Sequence, residues 1–222
     1  MTRPASDLDG FRLWPGLLDR AAQEALRDEV FARMREGPFY IPRMPKSGAP
    51  MSVRMTNFGP LGWVTDKEQG YRYQATHPET GKPWAAMPPK VLELWSELSG
   101  YDAPPEACLV NLYESDARMG LHVDSDEDAW DAPVLSISLG DTALFRIGGS
   151  LRSDATRSVR LASGDVCMLG GAARRAYHGV DRIMNGTSRL LPKGGRLNLT
   201  VRRVTVPSSP AVSPSLPEQA SS

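Results

Sequence analysis

From Glu106 onward the chain is written as one short extended run after another, and this most limits what it can fold into. Apolar or alternating segments occur at 108–113, 133–139, 143–147, 158–161, 166–169 and 196–204, separated by Gly-Gly and Ser-Gly-Asp turns. Many short strands at near-regular spacing predict a double-sheet barrel rather than a helical or alternating α/β domain. Two helices precede it. Residues 17–36 place Leu18, Ala22, Ala25, Leu26, Val30 and Met34 at helical spacing, with Asp19 as N-cap and Gly37-Pro38 as the stop. Residues 88–99 repeat the pattern with Val91, Leu92, Leu94, Trp95 and Leu98, closed by Gly100. The expected fold is α+β and mainly β: a double-stranded β-helix (jelly-roll) core with N-terminal helices packed outside. One domain is expected over 11–205. Residues 1–10 are expected to be disordered, as is the Pro- and Ser-rich tail 206–222, which has too little apolar side chain to offset its ordering entropy.

Charge and cysteine content narrow the function classes. Equal numbers of basic and acidic residues, 26 of each, exclude nucleic-acid binding by bulk charge. The distribution is uneven, however: residues 106–131 carry eight acidic residues and one basic, whereas 150–205 carry eleven basic and three acidic. A positive surface built by the second segment would suit phosphates; equally, those charges could be scattered and solvated. Cys108 and Cys167 sit in apolar runs without Cys-x-x-Cys spacing, so they read as buried thiols rather than a disulfide or thiolate metal site. No apolar stretch resembles a membrane span or signal peptide, which predicts a cytoplasmic protein without membrane contact.

The chemistry is concentrated at His122-Val123-Asp124, with His178 further along. Residues two apart in extended backbone point to one side, so His-x-Asp presents an imidazole and a carboxylate to a single metal. Two imidazoles and one carboxylate form the facial set that holds non-haem Fe(II) and leaves positions open. A short His-x-Asp alone is also an ordinary polar loop. The strand Arg196-Leu-Asn-Leu-Thr-Val-Arg202 adds a strictly alternating polar face, and Asn111-Leu112-Tyr113 repeats it. Such a face either meets solvent or lines a pocket. A dicarboxylate that chelates iron at one end needs a cation at the other, and Arg202 or Arg196 would serve, supported by Asn111 and Tyr113.

Longer motifs then become recognisable. Met-Ser-Val-Arg-Met-Thr-Asn at 51–57, Leu-Gly-Trp at 61–63, Gln-Gly-Tyr-Arg-Tyr at 69–73 and Lys-Pro-Trp-Ala-Ala-Met-Pro at 82–88 stand before the core. Within it stand Ala-Cys-Leu-Val-Asn-Leu-Tyr at 107–113, His-Val-Asp-Ser-Asp-Glu at 122–127, Ser-Ile-Ser-Leu-Gly at 136–140, Tyr-His-Gly at 177–179 and the strand 196–202. Together they resemble the bacterial AlkB family, 2-oxoglutarate- and Fe(II)-dependent dioxygenases that remove alkyl groups from nucleic-acid bases.

The resemblance implies a substrate lid over 39–88 and a catalytic jelly roll over 106–205. It makes His122, Asp124 and His178 the iron ligands and puts Asn111, Leu112, Tyr113, Arg196, Asn198, Thr200 and Arg202 around 2-oxoglutarate; in the mechanism expected on that basis Arg202 holds the distal carboxylate. It also places Trp63, Tyr71, Arg72, Tyr73, Asp126 and Arg152 at the substrate. The implied reaction uses O2 to demethylate 1-methyladenine or 3-methylcytosine in DNA, single or double stranded, by a monomeric enzyme; 2-oxoglutarate becomes succinate and the methyl leaves as formaldehyde. A flipped base needs a stacking surface, which Trp63 and the His122 ring can supply, and a cationic lesion suits the carboxylate of Asp126. The sequence departs from the family by one residue inserted around 66–69 and by Ser125, where bacterial relatives can carry Lys. Activity on RNA or protein, or a damage-binding or iron-sensing β-barrel without turnover, are the alternatives.

Overall fold

The computed structural model describes residues 3–114 and 116–207. The chain opens with a hairpin of β1 (Ser6–Leu8) and β2 (Phe11–Trp14), then α1 (Arg20–Arg33). Next come β3 (Arg54–Phe58), the hairpin β4 (Gly62–Asp66) and β5 (Gly70–Gln74), and α2 (Pro89–Leu98). The rest is strand: β6 (Ala107–Tyr113), β7 (Met119–His122), β8 (Val134–Gly140), β9 (Thr142–Ile147), β10 (Arg157–Leu161), β11 (Val166–Leu169), β12 (His178–Met184) and β13 (Arg196–Arg202). One 3-10 turn, Gly171–Arg175, enters β12. Among the described residues no helix is long and apolar enough to cross a membrane.

The strands form two antiparallel sheets and a separate hairpin. The larger has the order β1-β2-β11-β8-β13-β6-β3, the smaller β10-β9-β12-β7, and β4-β5 stands apart. This is the expected jelly roll. Alternation along β13 explains how it holds together, because the strand is buried on both faces. Leu197, Leu199 and Val201 join Val91, Leu94 and Trp95 of α2 and Leu26 and Val30 of α1 in one apolar cluster. Each such fully buried side chain contributes about 1.5–3 kcal/mol. A second cluster, including Phe11, Tyr113, Phe145, Cys167, Val180 and Ile183, fills the space between the sheets. The opposite face of β13, with Arg196, Asn198, Thr200 and Arg202, is therefore turned inward and not toward solvent.

Both helices occur where their periodicity predicts, and Asp19 caps α1 by accepting from the Ala22 amide at 2.8 Å. Three expectations need correction. Residues 6–8 are not disordered: they form β1, and the turn to β2 runs through Asp9 and Gly10, both at positive φ. A Cβ on Gly10 would lie 2.0 Å from the Gly170 carbonyl oxygen, so only glycine allows the hairpin to approach the sheet so closely. Strands β7 and β12 had no expected counterpart: β7 has only four residues, and Asp181 and Arg182 break the alternation of β12 at a register shift. The basic segment 150–205 is less of a surface than its count suggests, because Arg174, Arg196 and Arg202 are buried. Apart from Val206 and Pro207, the tail lies outside the described residues. Cys108 and Cys167 are free and buried, and burial pushes the Cys167 thiol up to about 12.

Candidate active site

Strand pairing assembles the metal-ligating set. His122 at the end of β7 lies opposite His178 at the start of β12, and Asp124 follows two residues after β7. Gly179 makes the pairing possible, since a Cβ there would meet the Met119 carbonyl oxygen at 2.5 Å. The two imidazole rings are 4.6 Å apart between centroids. His122 Nε2 is 3.6 Å from Asp124 Oδ1, and His178 Nε2 is 3.7 Å from Asp124 Oδ2. One ligand atom from each residue lies within 4.8 Å of the others. Each Nδ1 faces a main-chain carbonyl, Gly120 at 2.9 Å and Ala176 at 3.0 Å, so an Nδ1–H can donate there and leave Nε2 for a metal.

The electrostatics keep this set ready for a cation. Burial by itself raises the pKa of Asp124, but Arg202, helped by His178 and His122, outweighs it and holds the carboxyl well below the usual carboxylate range. His178 is pushed down to about 4, chiefly by burial, against the pull of Asp124. At neutral pH the buried pair is thus one carboxylate and one neutral imidazole, the forms that bind metal.

A cavity of about 830 Å³ opens on these residues, between the sheets and beneath the β4-β5 hairpin. Among the described residues, the buried side-chain atoms lacking a hydrogen-bonding partner are Asn111 Oδ1, Asp124 Oδ2, Arg196 Nε and Nη1, and Arg202 Nε. All of these residues line the cavity. Buried polar atoms are normally paired, so the concentration of exceptions marks where ligands go. An unpartnered carboxylate oxygen fits a metal ion, and an unpartnered guanidinium edge fits a carboxylate.

The two arginines of β13 are used differently. Arg202 is already committed: Nη2 donates to Asp124 Oδ1 at 2.7 Å, and Nη1 reaches Tyr73 Oη at 2.9 Å and Glu127 Oε1 at 3.1 Å. Among the described residues Arg196 has no carboxylate partner. Its Nη2 donates to Asn198 Oδ1 at 2.6 Å and Ser138 Oγ at 3.0 Å, and its guanidinium carbon lies 5.5 Å from the Tyr113 ring centre. Arg196 thus keeps Nε and Nη1 free to take a carboxylate, whereas Arg202 keeps only Nε. Ser136 and Ser138, which brace this arrangement, were legible as the polar alternation of 136–139 but were not singled out.

The mouth of the cavity is aromatic. Trp63 and Tyr71 stack across the hairpin at 5.4 Å and 23°, and the Trp63 indole donates to Asp126 Oδ2 at 2.7 Å. Asn57 fixes the Trp63 main chain through bonds of 3.0 and 3.1 Å. Arg152 lines the cavity while donating to the Leu121 carbonyl at 2.6 Å. Of the expected site residues, His122, Asp124, His178, Asn111, Tyr113, Arg196, Asn198, Thr200, Arg202, Trp63, Tyr71, Asp126 and Arg152 all line this space. Three do not. Leu112 points from the opposite face of β6 toward the helix-side core. Arg72 is paired with Asp66 at 2.8 Å on the far side of the hairpin, and Tyr73 is bonded to Glu127 and Arg202 beneath it.

A jelly roll whose cavity joins a two-histidine, one-carboxylate set to an arginine with donors left free is the arrangement of a dioxygenase that uses Fe(II), 2-oxoglutarate and O2. The family model described as the 2OG-Fe(II) oxygenase superfamily matches residues 10–202. The chain belongs to that superfamily and, within it, to the bacterial AlkB family. It is 58% identical to an "Alpha-ketoglutarate-dependent dioxygenase AlkB homolog" of Caulobacter vibrioides, across 91% of either chain. It is 41% identical to the "Alpha-ketoglutarate-dependent dioxygenase AlkB" of Escherichia coli, covering 82% of this chain and 85% of that one. The solved structure titled "The structure of OsALKBH1" superposes with a TM-score of 0.72 at 30% identity, over 90% of this chain and 99% of that one.

Proposed function

We propose that the enzyme oxidatively demethylates alkylated bases, 1-methyladenine and 3-methylcytosine, in DNA. The observation that carries this reading is the single cavity that joins the His122, Asp124 and His178 set to the stacked Trp63 and Tyr71. His122, Asp124 and His178 would hold Fe(II), with the Nδ1 contacts of the two histidines to the Gly120 and Ala176 carbonyls fixing the ring orientations. When bound, the metal supplies the O2 activation that couples decarboxylation of 2-oxoglutarate to succinate with oxidation of the methyl group, released as formaldehyde.

The protein's part is binding and orientation. Arg196 takes the far carboxylate of 2-oxoglutarate, held by Ser138 and Asn198, with Asn111, Tyr113 and Thr200 on the same cavity wall. Trp63, Tyr71 and the half-exposed ring of His122 offer flat surfaces to a base turned out of its stack. Asp126 stands beside Trp63, so its carboxylate would favour a cationic methylated ring over a neutral one. Arg152 at the rim suits a backbone phosphate. No side chain is needed as an acid or base.

The lid spans 39–88 and the catalytic core 106–205, and the enzyme works as a monomer in the cytoplasm. RNA is the second reading, supported by a relative in Schizosaccharomyces pombe named "tRNA demethylase abh1". The test is anaerobic loading with Fe(II), followed by succinate and formaldehyde release on DNA and RNA oligonucleotides with or without a methylated base. Formaldehyde in step with succinate, dependent on the lesion in DNA and lost in His122→Ala, is expected. Succinate without lesion dependence would leave the dioxygenase but overturn the substrate.

A further inference from the structure

Beneath the iron set lies a buried ionic cluster that the reaction does not use. Glu127 has a fully buried side chain and sits between two arginines, Arg202 at 3.1 Å through Oε1 and Arg174 at 2.9 Å through Oε2. Both arginines also hold Asp124, from different directions. Arg202 grips its carboxylate at 2.7 Å, and Arg174 Nη1 donates to its main-chain carbonyl at 2.7 Å. Arg174 is further fixed by its Nε on the Ala132 carbonyl at 3.0 Å and by the Trp130 ring, 5.2 Å from its guanidinium carbon. Tyr73 closes the cluster from the β4-β5 hairpin, donating to Glu127 and accepting from Arg202.

This is more than charge balance. Two carboxylates and two guanidiniums neutralise each other, but a merely neutral cluster would not need both arginines on the same aspartate. Removing the Glu127 carboxylate frees each cation to rotate about its remaining bonds, and Asp124 then loses restraint at side chain and main chain together. Partners that orient a metal ligand commonly govern metal affinity by about 10–100-fold.

We propose that Glu127 is a positioning residue for the iron site: through Arg202 and Arg174 it fixes both ends of Asp124, and through Tyr73 it ties that ligand to the hairpin covering the cavity. This rests on the assignment of His122, Asp124 and His178 as metal ligands.

The test is anaerobic titration of the full chain with Co(II) as a spectroscopic stand-in for Fe(II), with thermal denaturation of each metal-free variant as a folding control. Glu127→Gln and Arg174→Met should each weaken Co(II) binding about 10–100-fold and alter the Co(II) absorption bands while the protein remains folded. Arg174→Met is the discriminating variant. Removing a buried positive charge near the site would tighten cation binding if the cluster acted only through its field, so unchanged or tighter binding overturns the proposal. So does Co(II) binding by Glu127→Gln within twofold of wild type. Should either variant fail to fold, Tyr73→Phe removes one hydroxyl from the cluster and should still loosen Co(II) binding by at least threefold; wild-type affinity there would sink the link to the hairpin. Failure of the wild type itself to bind Co(II), or undiminished binding by His122→Ala, would refute the ligand assignment rather than the role of Glu127.

Discussion

Arg202 and Asp124, 78 residues apart in sequence, are joined by a 2.7 Å hydrogen bond that makes the last strand and the metal-binding loop one unit. Arg196, six residues earlier on the same face of β13, has two donors with no partner. Two arginines that read alike in the sequence should therefore respond differently to substitution.

Arg202→Met leaves Asp124 and Glu127 buried with one counter-ion fewer, and loss of one partner from such a buried pair costs about 3–5 kcal/mol. Arg196→Met removes a buried charge that has no carboxylate partner among the described residues but strands Ser138 and Asn198, so it should cost less stability, about 1–2 kcal/mol, while weakening 2-oxoglutarate binding by about 1.5–3 kcal/mol, the contribution of a charge-assisted pair. Denaturant unfolding together with 2-oxoglutarate titration separates the two; matching stability losses would contradict the division of roles.

Gly179→Ala should loosen the metal site without touching a ligand. The added Cβ would fall 2.5 Å from the Met119 carbonyl oxygen, forcing β7 and β12 apart where His122 and His178 pair. Overpacking of this kind costs about 1–3 kcal/mol. A melting temperature and Co(II) affinity equal to wild type would show that the sheet accommodates the methyl group.

Stability of the metal-free protein should fall as the solution is acidified. His178 in the folded state is depressed to about 4 from an ordinary value of 6.5. Between those values the unfolded chain takes up a proton that the folded chain refuses, so stability is full above about pH 6.5 and is lost progressively toward pH 4. The drop is on the order of 3 kcal/mol. It should be smaller in His178→Asn, as followed by urea unfolding at a series of pH values. Asp124, also depressed, contributes in the same direction below that window.

Asp126→Asn keeps an acceptor for the Trp63 indole but removes the charge. Preference for a cationic methylated base over its neutral counterpart should shrink by about tenfold, equivalent to about 1.4 kcal/mol. Competition between 1-methyladenine and a neutral adduct in one oligonucleotide measures it directly.

What was legible in the sequence was whatever depends on local periodicity. The alternation of 196–202 identified a strand with one polar face, and the spacing of Leu18, Ala22, Leu26 and Val30 identified a helix, because side-chain direction in each element follows backbone geometry alone. His-x-Asp was readable for the same reason, as two ligands on one side of extended chain. Strand β12 was hidden, since charged residues at 181 and 182 beside a register shift destroy the period that marks a strand, and β7, Met119–His122, is too short to show one. The hairpin at β1 was missed because three residues carry too little pattern to stand out from a polar terminus.

The sequence by itself determined both helices, most of the core strands, the jelly-roll class and most of the residues that meet at the cavity. Only the tertiary structure decided how those residues divide the work. How many donors Arg196 and Arg202 each keep free depends on which carboxylates lie opposite them, and Asp124 and Glu127 reach Arg202 from a loop far away in the chain. Arg72 and Tyr73 were drawn off the cavity by Asp66 and by Glu127. Charged hydrogen bonds act over about 3 Å, so partnership among buried charges is settled by distances that no spacing along the chain encodes.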